Sequence, residues 1–421
     1  MRLRNAQGAG LVPALCFLLS LVACQRHDAD GAPAPAPDAR SATHPDRAAL
    51  AALGRTLFFD PALSASGRLA CATCHDPAHA YAPADGRVLE RGGPGLEQSG
   101  LRAVPSLRYD LARVPHWAQE YQSSAVERMT DRDNQPVGGY TWDGRYDSLA
   151  AQAAFPLLAP NEMANHDAAT VAAAIRRAPY ASRFTALFGT GALDDATQTL
   201  AAAGRALARF ELDDPSFHPY SSRFDAFLDG KATLNDAEQR GYALFVDPNK
   251  GNCASCHIAT PGADGSHPLF TDFSFHVLGV PRNARIAANV DAHYYDLGLC
   301  GPIRSDQTQR RDYCGMFRTP SLRNVATRAA FFHNGAIRSL RDAVAFYATR
   351  DSDPGRWYPE HDGKVERYDD LPVALRDNVD IVNVPFAGQR RHGATLNDAE
   401  VDDIVAFLKT LSDADVARAA P

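Results

Sequence analysis

A long apolar run is missing from this 421-residue chain: only Leu11 to Cys24 stays apolar, and it is too short to cross a bilayer. A polytopic membrane protein is thereby excluded. A cationic excess is missing as well. Lys and Arg number 43 against 50 Asp and Glu, a net charge of −7, whereas a surface that grips nucleic-acid phosphates needs positive charge. Strand-type alternation is sparse throughout, so the fold is expected to be mainly α. Methionine is rare too, with Met129, Met163 and Met316 the only ones beyond the start residue. At roughly 100–200 residues per domain, the length predicts two or three domains, each able to bury a core without staples. The informative residues are the eight cysteines.

Residues 1–24 read as an export signal: Arg2 and Arg4 precede a short apolar stretch that ends Leu21-Val22-Ala23-Cys24. That ending is similar to a bacterial lipobox, which implies lipidation of Cys24; an ordinary cleaved signal is the alternative. Gln25 after the cysteine resembles lipoproteins sent to the outer membrane. Residues 25–45, rich in Ala, Pro and Asp, suit a flexible tether. Cys16 lies in the discarded segment, so six cysteines remain for the folded protein.

Four of the six form Cys71-Ala-Thr-Cys74-His75 and Cys253-Ala-Ser-Cys256-His257. Composition predicts about 0.005 chance occurrences of such a pattern, so two are not an accident. Thiols one turn apart can form thioethers to two haem vinyl groups, and the adjoining imidazole then reaches the iron. A zinc site would usually pair its ligands at closer spacing than these motifs have. Two covalently attached c-type haems are the expectation.

The halves also repeat one another. Gly54-Arg-Thr-Leu-Phe-Phe-Asp60 recurs as Gly241-Tyr-Ala-Leu-Phe-Val-Asp247, and Pro105-Ser-Leu-Arg108 as Pro320-Ser-Leu-Arg323. Trp142-Asp-Gly-Arg-Tyr-Asp-Ser-Leu149 recurs as His333-Asn-Gly-Ala-Ile-Arg-Ser-Leu340, an offset of 191. The chain therefore reads as two tandem cytochrome c-like domains, each with one attached haem: residues 46–215, a linker at 216–232, and residues 233–415. Helix starts are marked by Asn235 with Glu238 and by Asn397 with Glu400, two capping boxes ahead of apolar stripes. Turn chemistry from Asp213 to Lys231 marks the linker.

Extending the 191 offset aligns Pro156 with Tyr347. Proline has no side-chain donor atom, whereas a phenolic oxygen can bind iron. If this position lies over the distal face, the first iron is open and the second capped, which is what a reactive site plus an electron-relay site require.

These motifs, in this order, resemble the bacterial di-haem cytochrome c peroxidase and MauG family from about Arg47 to Leu411. The matches are Leu53 to Asp60, the first haem motif, Trp142-Asp-Gly-Arg145, Gln152 with Pro156 and Glu162, the second haem motif, Phe317 to Asn324, and His333-Asn-Gly335. The resemblance implies that the N-terminal haem is the peroxide site and that the C-terminal haem receives electrons. It makes His75 and His257 the proximal iron ligands, Glu162 the acid/base, Gln152 the group that orients peroxide, and Trp142 an electron relay. It makes Tyr347 the second axial ligand of the C-terminal haem, a place held by Met in typical peroxidases and by Tyr in MauG; His333 and His276 are the alternatives. No histidine lies between Ala82 and Leu101, and His79 is too near His75 to cross to the other face, so no reductive activation switch is expected.

The family's interdomain calcium is held partly by an Asn where this chain has Ala103, which leaves calcium open, since backbone and water could still bind a hard cation. Cys300 and Cys314 bracket a polar loop, and an oxidising periplasm would join them in a disulfide, with free buried thiols as the alternative. The resemblance implies an oxidoreductase in the periplasm, anchored to the outer membrane through Cys24, which reduces hydrogen peroxide with electrons from a small cytochrome c or cupredoxin. It allows a homodimer. A MauG-like oxidase that acts on a protein or organic partner, and a non-enzymatic electron carrier, are the competing functions.

Overall fold

A computed structural model describes residues 46–84, 87–109, 113–119, 135–386 and 393–417. The lipobox with Cys24, the tether and Met129 lie outside the described residues. Helices dominate: α1 (Arg47–Phe58), α2 (Cys71–Cys74), α3 (Leu149–Ala154), α4 (Ala168–Arg177), α5 (Ala181–Phe188), α6 (Ala196–Asp213), α7 (Arg223–Leu228), α8 (Asp236–Val246), α9 (Leu340–Thr349), α10 (Asp398–Lys409) and α11 (Ala414–Ala417). Among the described residues, strands amount to three antiparallel two-residue pairs, one of which joins Phe275–His276 to Phe317–Arg318. No described helix is long and apolar enough to cross a membrane.

Two apolar cores follow the duplication. One gathers side chains from Leu53 to Phe217, the other from Phe224 to Leu411. Each is built on the same crossing, α1 on α6 and α8 on α10. Leu53, Leu57 and Phe58 bury against Leu207 and Phe210 in the first; Phe245 buries against Ile404 and Phe407 in the second. Each such side chain contributes roughly 1.5–3 kcal/mol by leaving water. Both crossings are too close for a side chain at their centre. A Cβ on Gly54 would lie 1.8 Å from the Ala206 carbonyl oxygen, and one on Gly241 would lie 1.9 Å from that of Asp403. That is the physical reason a glycine stands at the head of the repeated motif.

Both capping boxes form: Asn235 and Asn397 accept from the backbone N–H groups of Glu238 and Glu400, whose carboxylates accept in return. Ser148 and Ser339, 191 apart, cap α3 and α9 alike, accepting from Ala151 and Asp342. The two helices then diverge. After Ala154 the chain tightens into a 3₁₀ turn, Phe155–Leu157, because Pro156 lacks the N–H that would continue the α-helix; α9 runs on through Tyr347. The segment read as a linker is more structured than its turn chemistry suggests. It carries α7, and it buries Phe217 in the first core and Phe224 in the second, so both ends are packed into the body. Cys300 and Cys314 are joined by a disulfide.

Candidate active site

Both haem motifs present their imidazoles in one way. His75 Nδ1 lies 3.1 Å from the Tyr81 carbonyl oxygen and His257 Nδ1 lies 2.9 Å from that of Phe270. A carbonyl partner fixes Nδ1 as the protonated nitrogen and leaves Nε2 as the electron-pair donor, the tautomer an iron ligand needs. Burial lowers the pKa of His75 to about 4, which keeps its ring neutral. The Cys71–Cys74 turn forms because Thr73 Oγ1 accepts from the N–H of Ala70, and Cys71 O accepts from the N–H of His75.

Around the second motif lies a cavity of about 800 Å³. Cys253, Cys256, His257, Tyr347, His276 and His333 all line it, as does Trp142 from the first half. Tyr347 stacks on Phe386 at 5.4 Å between ring centres, with Phe332 at 5.7 Å. Burial, then the nearby Cys256 and Cys253 thiols, pushes its phenol above the ordinary range. Of the alternative ligands, His276 Nε2 lies 2.7 Å from Ser274 Oγ, whereas His333 lies flat on Phe317 at 3.4 Å and its Nε2, 3.5 Å from an Asp370 oxygen, has no hydrogen-bond partner among the described residues. Cys256, Asp272 and His276 also group their donor atoms within 4.8 Å.

On the first side, the 156–165 segment folds back over the end of α3. Pro156 O accepts from the N–H of Met163, Asn165 Nδ2 donates to the carbonyls of Leu63 and Leu157, and Gly93 N–H donates to Glu162 O. Gly92 permits this approach, since a Cβ there would meet Asn161 O at 2.3 Å and Glu162 O at 2.5 Å. The Glu162 backbone is therefore pinned from two sides. Gln152 stands half-buried on α3, four residues before Pro156. Burial raises the Glu162 carboxyl to about 7, and Arg145, which stacks over Phe155 at 4.7 Å, pulls against that rise. Burial, then Glu211 and more weakly Glu162, pushes Cys71 as a free thiol up to about 12, so both carboxyls lie near the first motif.

Trp142 is clamped between the halves: its Nε1–H donates to Ala103 O at 2.8 Å and its carbonyl accepts from the N–H of Arg318 at 2.8 Å. The next residue, Asp143, is fully buried. Although burial disfavours its charge, Arg102 and Arg145 hold its carboxyl below the usual range. Arg102 also pairs with Asp296, which ties the Trp142–Asp143 turn to the second half.

The methylamine utilization protein MauG of Paracoccus denitrificans (strain Pd 1222) is 36% identical over 394 residues, covering 90% of this chain and 92% of that protein. This chain belongs to the di-haem cytochrome c peroxidase family. A family model described as di-haem cytochrome c peroxidase matches residues 48–233. Cytochrome c551 peroxidase of Nitrosomonas europaea is 28% identical over 305 residues, covering 72% of this chain and 74% of that protein. The diheme peroxidase BthA of Burkholderia thailandensis E264 superposes with a TM-score of 0.78 at 39% identity, over 90% of this chain and 89% of that one. A member of this family is an enzyme of the peroxidase type, and membership implies two c-type haems. The residues fit that group: each motif offers two thiols beside an imidazole whose Nδ1 is held by a backbone carbonyl, and the second borders a cavity of suitable chemistry.

Two functional candidates escaped the sequence reading. Glu211, 5% exposed, sits on the apolar face of α6 one turn after Leu207, and its Oε2 has no partner among the described residues. A carboxylate within the Ala203–Leu207–Glu211 stripe was the available signal. Burial raises it to about 8. Folding takes up a proton here, so the stability carried by neutral Glu211 is complete below the ordinary carboxylate range and is lost as pH rises through about 8. Glu211→Gln is expected to raise the melting temperature most at alkaline pH, with the gap closing towards about pH 5 in calorimetric scans. A gap that stays constant with pH would show that Glu211 is not buried as an acid. The second candidate is Arg328, whose Nη1 has no partner among the described residues.

Proposed function

We propose that this protein is a periplasmic di-haem peroxidase that reduces hydrogen peroxide to water in its N-terminal half, with electrons from a small redox protein entering at its C-terminal half. On this reading each half is a cytochrome c-like domain with one attached haem, held by Cys71, Cys74 and His75 and by Cys253, Cys256 and His257. The observation that carries it is the carboxyl of half-buried Glu162, raised to about 7 and fixed on a pinned loop near the first motif, in the stretch where the repeat aligns Pro156 with Tyr347. A haem bound there supplies the iron at which peroxide is held and reduced.

The chain's own residues move the proton. Glu162 takes it from the inner peroxide oxygen and returns it to the outer one, so that water and not hydroxide leaves; a carboxyl near neutrality does both with little penalty. The Gln152 amide orients the outer oxygen. Trp142, clamped between the halves and lining the second cavity, divides the electron path into shorter steps. Trp142→Phe is expected to leave both haem spectra in place and to slow peroxide turnover at least tenfold, as read by stopped-flow absorbance of the C-terminal haem. An electron-transfer rate unchanged in that variant would remove the relay.

A second reading is favoured by Tyr347, which lines the cavity of the second motif, and by the 36% identity to MauG. In it, two oxidising equivalents are stored across both haems and passed to a protein or organic partner. Steady-state peroxide turnover with reduced cytochrome c separates the two, because an enzyme built for partner oxidation is slow in that assay. Export to the periplasm and anchoring through Cys24 complete the proposal, and globomycin-sensitive processing of the precursor tests the anchor.

A further inference from the structure

We propose that the Arg328 guanidinium is a built-in interior cation: it takes the place of a bound calcium ion between the two halves, and it holds an anionic carboxylate of the group that fills the second cavity. The second clause rests on the reading that this group is a haem.

Arg328 is a half-buried cation whose inner end meets no counter-charge among the described residues. Arg328 follows the short 3₁₀ turn Val325–Thr327 and reaches across to the first half, where its Nη2 donates to the carbonyl of Val104 at 2.5 Å. Its Nη1 is buried and has no partner among the described residues. Among the described residues no carboxylate pairs with it, and burial lowers its pKa to about 10, which leaves it charged at neutral pH. Three other arginines of this interface are paired with carboxylates, Arg102 with Asp143 and Asp296, Arg108 with Asp413, and Arg323 with Asp225. An unpaired interior charge is strongly unfavourable, so an anion from outside the described residues has to complete it.

The position says which anion. Arg328 lines the cavity of Cys253, Cys256, His257 and Tyr347, together with Ala330 and Phe331 from the same segment. A haem carries two carboxylates, and a guanidinium with a free N–H is well suited to one.

The same geometry leaves few free oxygens for calcium at residue 103. A hard cation there would need several oxygens. Ala103 offers no side-chain oxygen; its carbonyl accepts from Trp142 Nε1, and the carbonyl of Val104 accepts from Arg328. A fixed positive charge beside these carbonyls repels a divalent ion as well. The chain thus departs from a calcium-dependent interface by replacing a dissociable cation with a covalent one.

Holoprotein purified with calcium in the buffer, its haem count set at two per chain by pyridine haemochrome absorbance, tests both clauses. Metal analysis is expected to find far less than one calcium per chain, and a calcium chelator to leave optical and electron paramagnetic resonance spectra of both haems unchanged. One calcium per chain, or haem spectra that move on chelation, overturns the replacement. Arg328→Met is expected to lower the reduction potential of one haem, because a nearby cation stabilises the reduced state. The expected change is about tenfold in the reduction equilibrium, about 59 mV for one electron. Arg328→Lys is expected to retain most of the wild-type potential. A potential unchanged in Arg328→Met overturns the carboxylate contact, and should that variant fail to fold, a Lys variant with the full loss of potential does so too. A wild-type haem count below two refutes the functional reading instead, and the calcium measurement still decides the first clause.

Discussion

Glu162→Gln is expected to slow peroxide cleavage by about 10²–10⁴-fold, the usual worth of a positioned acid/base, while both ferric haem spectra stay as they are. The substitution is close to isosteric, and the Glu162 backbone is held by Gly93 N–H and by the Asn165 clamp, neither of which uses the carboxyl. The loss therefore reports proton transfer and not a displaced loop. The pH profile gives a second, independent signature. To take a proton from peroxide the carboxyl must first be ionised, and burial sets its midpoint at about 7. In the wild type kcat/KM is expected to rise with pH through that midpoint to an alkaline plateau, and in Glu162→Gln the rise disappears. A variant with wild-type rate, or one that keeps the rise near neutrality, would remove Glu162 from the acid/base role and leave the site without a proton carrier.

Much of the fold is legible in the sequence because its devices are local. Asn235 with Glu238 and Asn397 with Glu400 need only four residues to specify a helix start, and both form. The repeat is legible for a related reason: Ser148 and Ser339 cap at equal offsets, and Gly54 and Gly241 sit at equal crossings, so spacing alone carries the duplication into three dimensions. What escaped depends on partners far away in sequence. Polar and proline-rich residues from Asp213 to Lys231 have turn chemistry, yet Phe217 and Phe224 are drawn into opposite cores, and burial of two aromatic rings outweighs the local preference. Arg328 lies in a segment matched to the family at either end, and nothing near it in sequence shows that its guanidinium reaches Val104, 224 residues earlier, without an acid to meet it. Glu211 is a third case, since a helical stripe reveals a misplaced carboxyl only once the stripe is known to face a core.

Tyr347→Phe removes a single oxygen and is expected to change the second haem more than any other substitution of that size. Offset arithmetic alone pairs Tyr347 with Pro156, and the two helices explain the difference in physical terms: α9 remains helical through Tyr347, so its ring is held between Phe332 and Phe386 on the cavity wall, whereas proline ends α3 one turn early. Desolvation makes this phenol resist ionisation in the absence of a cation. The charge of a ferric iron reverses that preference, and an anionic oxygen in turn favours the ferric state and lowers the potential. Without the oxygen, the C-terminal haem is expected to lose its low-spin ferric resonance, to gain a high-spin one, and to become easier to reduce. Tyr347→Met is expected to restore low spin at a higher potential, since a thioether favours the reduced iron. The phenylalanine variant is informative even if peroxide turnover falls, because the spectra report ligation directly. Low-spin signals that persist unaltered in Tyr347→Phe would assign the second axial position to His276 or His333 and would detach the difference between the two halves from the Pro156–Tyr347 pair.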